Sequence, residues 1–450
     1  MTTPDPPVCL WPDPNALGPV TDLYQLTMMA GYHATGMADR PATFELFVRR
    51  LPPNRAYLVL AGLEQALGDL VRLAFSADQV AWLADQPAFG SVDRSFFDWL
   101  ATLRFEGDVW AMPEGTVAFP GETLVRVEAP LAQAQWIETY LIAALNYPTL
   151  VASKAARIVE QARGRGLFDF GARRGHGPHA GMLAARAAYL AGFDGTSHVE
   201  AARRVGIPAV GTMAHAWVQA FGDERAAFEA FARVFPRAST LLVDTYDTPE
   251  GVRRAAAIGP AVGAVRIDSG DLAGLGREAR EILDGAGRGS TRIVASGDLD
   301  ERKIAEFVAA GAPIDAFGVG TELVTSRDAP ALSMVYKLVA LDGEGRIKRS
   351  PGKRTYPLGK QVWRRRDGDG RFSGDHVTRH DEVSDGEPLL RPYVASGRLA
   401  GNLPTIAAIR EHARDQLAAL PGRLRGLDAA PDYPVTYSDA LEAAAHRLGL

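Results

Sequence analysis

Apolar positions change their spacing twice along the chain, and each change marks a region. After Pro130, Ala134, Ile137, Leu141 and Ala144 recur at the three- and four-residue intervals of one buried helix face, which predicts a helix over Leu131–Leu145. Upstream, an apolar helix-like stretch opens at Thr21–Asp22, and Phe44–Leu51 reads as a strand stopped by Pro52–Pro53. Helices are expected at Gly62–Leu73 and Ser91–Leu103. Short strands are expected at Gly107–Met112, Thr116–Phe119 and Thr123–Val127, with a Pro120–Gly121 turn before the last. Residues 20–130 thus read as a small mixed α/β domain behind a proline-rich, flexible tail over 1–19.

Beyond the 131–145 helix, short apolar strands alternate with alanine-rich helical segments. The strands are Phe168–Phe170, Ala209–Thr212, Leu241–Val243, Val265–Ile267, Arg292–Ala295 and Ala316–Val319. Between them lie helical segments at Met182–Leu190, Asp223–Val234, Pro249–Ile258, Gly276–Asp284 and Glu301–Ala310. Such alternation implies parallel strands covered by crossover helices, and the number of units in a row favours a TIM-like α/β barrel over residues 131–335. From Tyr336 the pattern turns to hairpins, one about Asp342–Gly343 and another about Asp367–Gly370, before a helix at Leu403–Leu420. The 336–450 segment is expected to pair with the N-terminal region, so that the second mixed α/β domain is built from both chain ends.

Composition narrows the class. The 450 residues are 47% hydrophobic and 23% charged, as in soluble globular chains with a sizeable core. A net charge of −5 argues against a general nucleic-acid binder, although it leaves room for a local anion site. The single cysteine, Cys9, excludes an internal disulfide and suits a reducing, cytoplasmic compartment. No targeting signal or membrane-length apolar run is evident.

The chemistry gathers where the predicted strands end. Phe170–Gly171 leads to Arg173–Arg174, Thr212 to His215, and Val243 to Asp244 and Asp247. Ile267 is followed by Asp268, Ser269 and Asp271, Ala295 by Ser296–Gly297, and Val319 by Gly320–Thr321. In a parallel barrel these ends share one face, the usual place for an active site. Ser296, Gly297, Gly318, Gly320 and Thr321 offer backbone amides suited to phosphate, and Arg173, Arg174 and Arg266 suit other anionic groups. The acids could hold ribose hydroxyls or a Mg²⁺ that bridges phosphates, and His215 could act as base or nucleophile. Singly, each has a bland reading: glycines turn, aspartates cap helices, and the His176–His179 pair lacks a third metal ligand. The recurrence at six strand ends points instead to a phosphorylated-sugar site.

These residues carry a family resemblance. TDLYQLTM, FELFVRRLP, PEGTVAFPGE, FGARRGHGP, GTMAHAW, LLVDTYDT, VRIDSGDL, ASGDLDE, FGVGTELVTS and SPGKRTYPLGKQV occur in one order between Thr21 and Trp363. The sequence resembles the nicotinate phosphoribosyltransferases, type II phosphoribosyltransferases that join nicotinate to phosphoribosyl pyrophosphate in NAD salvage. The resemblance implies an ATP-coupled, Mg²⁺-dependent enzyme in which ATP phosphorylates His215, with Asp244 and Asp268 as further catalytic groups. It assigns Tyr24, Phe170, Thr212 and Arg266 to nicotinate, with Tyr24 reaching the site of a neighbouring subunit in a homodimer. Arg173, Asp244 and Asp268 fall to the ribose, pyrophosphate and Mg²⁺, with the metal's protein ligands unknown. Ser296, Gly297, Gly318, Gly320 and Thr321 fall to the 5′-phosphate. Ser197 follows Gly195–Thr196 where the related nicotinamide enzyme has an aspartate, which favours a carboxylate substrate. Ala216 stands after His215 where some relatives have a polar residue, leaving Ser269 and Asp271 as nearby polar groups. The alternatives are a quinolinate or nicotinamide phosphoribosyltransferase, another sugar-phosphate barrel enzyme such as an isomerase or aldolase, or a barrel that only binds its ligand.

Overall fold

The computed structural model describes residues 10–236, 239–349, 355–428 and 432–449. Cys9 and residues 350–354 of the SPGKRTYPLGKQV motif lie outside them. Two assemblies share the chain, each with its own apolar core.

The first assembly is a seven-stranded antiparallel sheet. Its order is Glu344–Gly345, Met334–Leu341, Pro41–Val48, Thr123–Pro130, Asp108–Ala111, Arg391–Ala395 and Arg398–Leu399. Early and late strands therefore do pair: Phe44 lies opposite Leu338, and its ring stacks on Tyr336 at 5.0 Å. Asp342 and Gly343, at φ 51° and 76°, form the tight turn expected of Asp–Gly. The returning strand is shorter than the sequence implies, only Glu344–Gly345. A four-stranded sheet contains the second hairpin, Lys360–Arg366 with Phe372–Arg379. The end of the segment read as a tail is packed: Ala16 and Leu17 are buried, and Trp136 Nε1 donates to the Gly18 carbonyl.

The second assembly is a parallel sheet of six strands. Its order is Gly195–Thr196, Gly166–Asp169, Ala316–Val319, Arg292–Ser296, Val262–Ile267 and Ser239–Leu242. It curves as a half-barrel, and among the described residues it does not close into the expected TIM-like barrel. The expected Ala209–Thr212 strand is reduced to a single bridge between Ala209 and Thr196. Pro208, lacking an N–H, precedes it, and no ladder joins residues 210–214 to the Ser239–Leu242 edge. The short Gly195–Thr196 strand takes that place beside Gly166–Asp169.

Aspartates start four successive crossover helices. Asp223, Asp247, Asp271 and Asp300 each accept a backbone N–H from the first turn of Glu224–Val234, Thr248–Ile258, Leu272–Gly285 and Glu301–Ala309. Asp247 and Asp271, weighed above as site acids, are thus helix caps. The helix expected at Leu131–Leu145 continues, after a break at Ile137, as Glu138–Ala162 through Pro148. Pro148 cannot donate to the Ala144 carbonyl, which lies against Gly62 in a space that a Cβ would fill. This helix runs between the two assemblies. No helix among the described residues is long and apolar enough to cross a membrane.

Candidate active site

The parallel ladder brings the strand ends together. Val294 lies opposite Arg266, and Ser296 opposite Gly318. Arg266 is the centre of one group. Its Nη1 donates to Thr212 Oγ1 at 2.6 Å, its Nη2 lies 3.9 Å from Asp268 Oδ1, and its Nε is buried without a hydrogen-bond partner. Burial lowers the guanidinium's pKa, Asp268 and Asp244 offset this, and Arg173 adds to it through like charge. Exposed Arg173 therefore lies in the same electrostatic neighbourhood, on the short turn Ala172–Arg174.

The acids form a second group. The Asp268 backbone N–H and the Ser269 hydroxyl both donate to Asp244 Oδ2, at 2.9 and 2.8 Å. The other oxygen, Asp244 Oδ1, is buried without a hydrogen-bond partner. Ser296 donates its hydroxyl to Asp268 Oδ1. Gly297 follows at φ 101°, and a Cβ there would collide with the Asp268 carbonyl, so glycine is required for this close passage. Gly320 precedes the one-turn helix Thr321–Val324.

An aromatic wall faces Arg266. The guanidinium carbon lies 6.0 Å from the Phe170 ring centroid. A side chain at Gly318 would run into the same ring, so the absence of a Cβ there decides where Phe170 sits. Asp169, which sequence reasoning passed over, holds this wall in place. Its carboxylate accepts the Gly171 N–H at 2.8 Å and the Thr196 hydroxyl at 2.7 Å, while its carbonyl accepts the Ser197 N–H. Burial raises its pKa, and the Thr196 and Gly171 hydrogen bonds oppose that. Ser197 is thereby fixed beside the Phe170 turn. The alternating run Leu167–Asp169 carries the one signal available from sequence, an acid at an inward-facing strand position.

His215 opens the helix His215–Phe221, and its Nδ1 lies 3.1 Å from Thr245 Oγ1. The polar neighbour of His215 is therefore Thr245. Ser269 instead binds Asp244, and Asp271 caps its helix. Tyr24 does not join the cluster within the chain. It is half-exposed on Leu23–Ala34, in a groove of about 390 Å³ shared with Glu138, Tyr147 and Pro330. His176 and His179 are exposed, and no group of three or more His, Cys, Asp or Glu side chains among the described residues could hold a metal ion. Lys337, on the antiparallel sheet, pairs with Glu138 at 3.7 Å.

The chain is similar to known proteins over most of its length. Family models match residues 20–146 as the nicotinate phosphoribosyltransferase N-terminal domain, 166–379 as the nicotinate phosphoribosyltransferase family and 383–444 as its C-terminal domain. The chain is 48% identical over 436 residues to nicotinate phosphoribosyltransferase pncB2 of Mycobacterium tuberculosis, covering 95% of this chain and 93% of that protein. It is 33% identical over 518 residues to human nicotinate phosphoribosyltransferase, covering 95% and 96%. The crystal structure of human nicotinic acid phosphoribosyltransferase superposes with a TM-score of 0.85 at 31% identity, over 96% of this chain and 100% of that one. Nicotinate-nucleotide pyrophosphorylase from Pyrococcus furiosus superposes with a TM-score of 0.76 at 28% identity, over 91% and 97%.

Proposed function

The chain belongs to the nicotinate phosphoribosyltransferase family, and from that premise we propose how its residues divide the work of joining nicotinate to phosphoribosyl pyrophosphate in NAD salvage. The observation that carries the assignment is Arg266. It is a partly buried arginine held by Thr212, with a buried, unpartnered Nε and an aromatic ring beside it. A flat aromatic acid satisfies all three features: its carboxylate meets the guanidinium and its ring lies along Phe170. Ser197, in place of an acid, adds no negative charge to repel the carboxylate.

The pyridine nitrogen attacks C1 of the sugar, the C1–N bond forms, and the C1–O bond to pyrophosphate breaks with its electron pair going to the leaving oxygen. Positive charge builds on the ribose ring meanwhile, and the carboxylates of Asp244 and Asp268 would stabilise it. Arg173 would take the pyrophosphate charge, and the Ser296–Gly297 and Gly318–Thr321 turns the 5′-phosphate. The donor set suits Mg²⁺: Asp244 Oδ1 is a buried carboxylate oxygen without a hydrogen-bond partner. Asp244, with Asp268, would hold the ion, which would supply positive charge to the departing pyrophosphate.

ATP coupling acts through His215. Thr245 engages Nδ1, which leaves Nε2 to take the γ-phosphoryl group; the N–P bond forms, the β–γ bridging bond breaks, ADP leaves and the imidazole proton goes to water. The added charge changes the site's affinity for the sugar pyrophosphate and product. Tyr24, half-exposed on its helix, would complete a neighbouring subunit's pyridine site in a homodimer. A chain with one cysteine suits the cytoplasm. One arginine held by Thr212 beside Phe170 matches a monocarboxylate better than quinolinate, and a direct assay with nicotinate, nicotinamide and quinolinate tests the reading.

A further inference from the structure

We propose that Lys154 is a positioning residue for the sugar-phosphate end of the site, holding together the two loops assigned above to the 5′-phosphate; the inference rests on that phosphoribosyl reading. Lys154 lies on the Glu138–Ala162 helix, outside every strand end, and is 2% exposed. Its Nζ is 2.6 Å from Glu301 Oε2 and 2.9 Å from Asp328 Oδ1. Glu301 opens the helix that follows the Ser296–Gly297 turn, and Asp328 closes the segment that follows Gly320–Thr321. One ammonium group therefore ties the far ends of both loops to one point.

Each carboxylate has a second cation of its own. Arg157 Nε reaches Glu301 Oε1 at 3.1 Å, and Arg55 Nη2 reaches Asp328 Oδ1 at 3.1 Å. Among the described residues Lys154 is the cation that pairs with both. The parallel ladder between the two strands ends at the Ser296–Gly318 pair, and beyond it no backbone hydrogen bond joins the loops among the described residues. Amides from both loops can grip one phosphate only if their separation is fixed, and displacements near 1 Å are costly to such sites. Buried ion pairs contribute little net stability, so a lysine retained here is better explained by the geometry it imposes.

The test compares wild type, Lys154→Met and the double variant Lys154→Met/Glu301→Gln by steady-state kinetics, with phosphoribosyl pyrophosphate and nicotinate varied in turn, alongside thermal melting. The double variant also removes the Glu301 charge that Lys154 no longer helps to balance, and supplies the readout where the single variant does not fold. The expected result is a phosphoribosyl pyrophosphate KM raised about tenfold or more in both variants. The nicotinate KM should stay within about twofold, and the double variant should recover melting temperature without recovering KM. A phosphoribosyl pyrophosphate KM near wild type in a folded variant, equal shifts of both KM values, or full KM recovery in the double variant overturns the proposal. Wild-type protein that fails to consume phosphoribosyl pyrophosphate overturns the underlying site assignment instead, and with it this inference.

Discussion

Arg266 Nη1 donates a 2.6 Å hydrogen bond to Thr212 Oγ1, while Nε of the same guanidinium is buried with no partner. Thr212 orients the guanidinium from one side, and on the other the buried Nε has no hydrogen-bond partner within the chain. Replacing it by alanine removes a charge-assisted contact to the substrate carboxylate, a loss of about 2–3 kcal/mol, or roughly 100-fold in nicotinate KM. Thr212→Val keeps the charge but frees the side chain, and should raise nicotinate KM by about tenfold. Steady-state kinetics checks both, and an unchanged nicotinate KM in Arg266→Ala contradicts the assignment.

Gly318 sets the position of Phe170. Gly318→Ala places a methyl group in the ring's space, which costs about 1–3 kcal/mol of stability and displaces the aromatic wall. The variant should melt lower and bind nicotinate several-fold more weakly. Adding Phe170→Leu should restore the melting temperature without restoring nicotinate affinity, because the clash is relieved but the stacking face is gone. Calorimetric melting with nicotinate titration distinguishes the two effects.

The contact between Thr245 and His215 predicts a division between coupling and transfer. His215→Ala should abolish ATP turnover and keep slow, uncoupled formation of nicotinate mononucleotide. Thr245→Val should lower the ratio of ADP to mononucleotide formed, whereas Thr245→Ser, which keeps the hydroxyl, should preserve it. Product ratios by chromatography decide the matter, and full ATP-dependent activity in His215→Ala excludes that histidine.

Asp328 gives a pH test of the ion cluster. Burial alone would raise its pKa, but the charges of Arg55 and Lys154 and their hydrogen bonds outweigh this and bring it down from 3.8 to about 2. A carboxylate whose folded pKa is depressed contributes stability that is present above its unfolded value and lost as pH falls toward the folded one. Wild type should therefore lose order 1 kcal/mol from this group between about pH 4 and pH 2, allowing for partial solvent exposure. Asp328→Asn should lack that portion of the acid limb in urea unfolding. Parallel limbs for the two proteins would contradict the pairing.

The site was legible in sequence wherever a strand ended in a polar residue, because the apolar run and the following Asp, Ser or Gly are adjacent in the chain. Arg266, Asp244, Asp268 and Ser296 come together as that pattern implies. Supporting groups were not legible. Asp169 lies within an alternating strand, and Lys154 lies on a helix far in sequence from both loops it holds. Thr245 stood in a stretch crowded with acids, one of which proved to be the cap Asp247. The open half-barrel was not legible because Ala209–Thr212 is apolar enough for a strand, and only its reduction to a single bridge with Thr196 shows that it closes nothing.

The central claim is that this strand-end cluster selects a pyridine monocarboxylate for phosphoribosyl transfer. Its most direct test is incubation of the purified full chain with phosphoribosyl pyrophosphate, ATP and Mg²⁺ and one of nicotinate, nicotinamide or quinolinate, following mononucleotide, pyrophosphate and ADP together. The account predicts mononucleotide and pyrophosphate from nicotinate, with ADP formed alongside and little product from the other two. Preferential turnover of nicotinamide or quinolinate, or no mononucleotide from any of them, would contradict it.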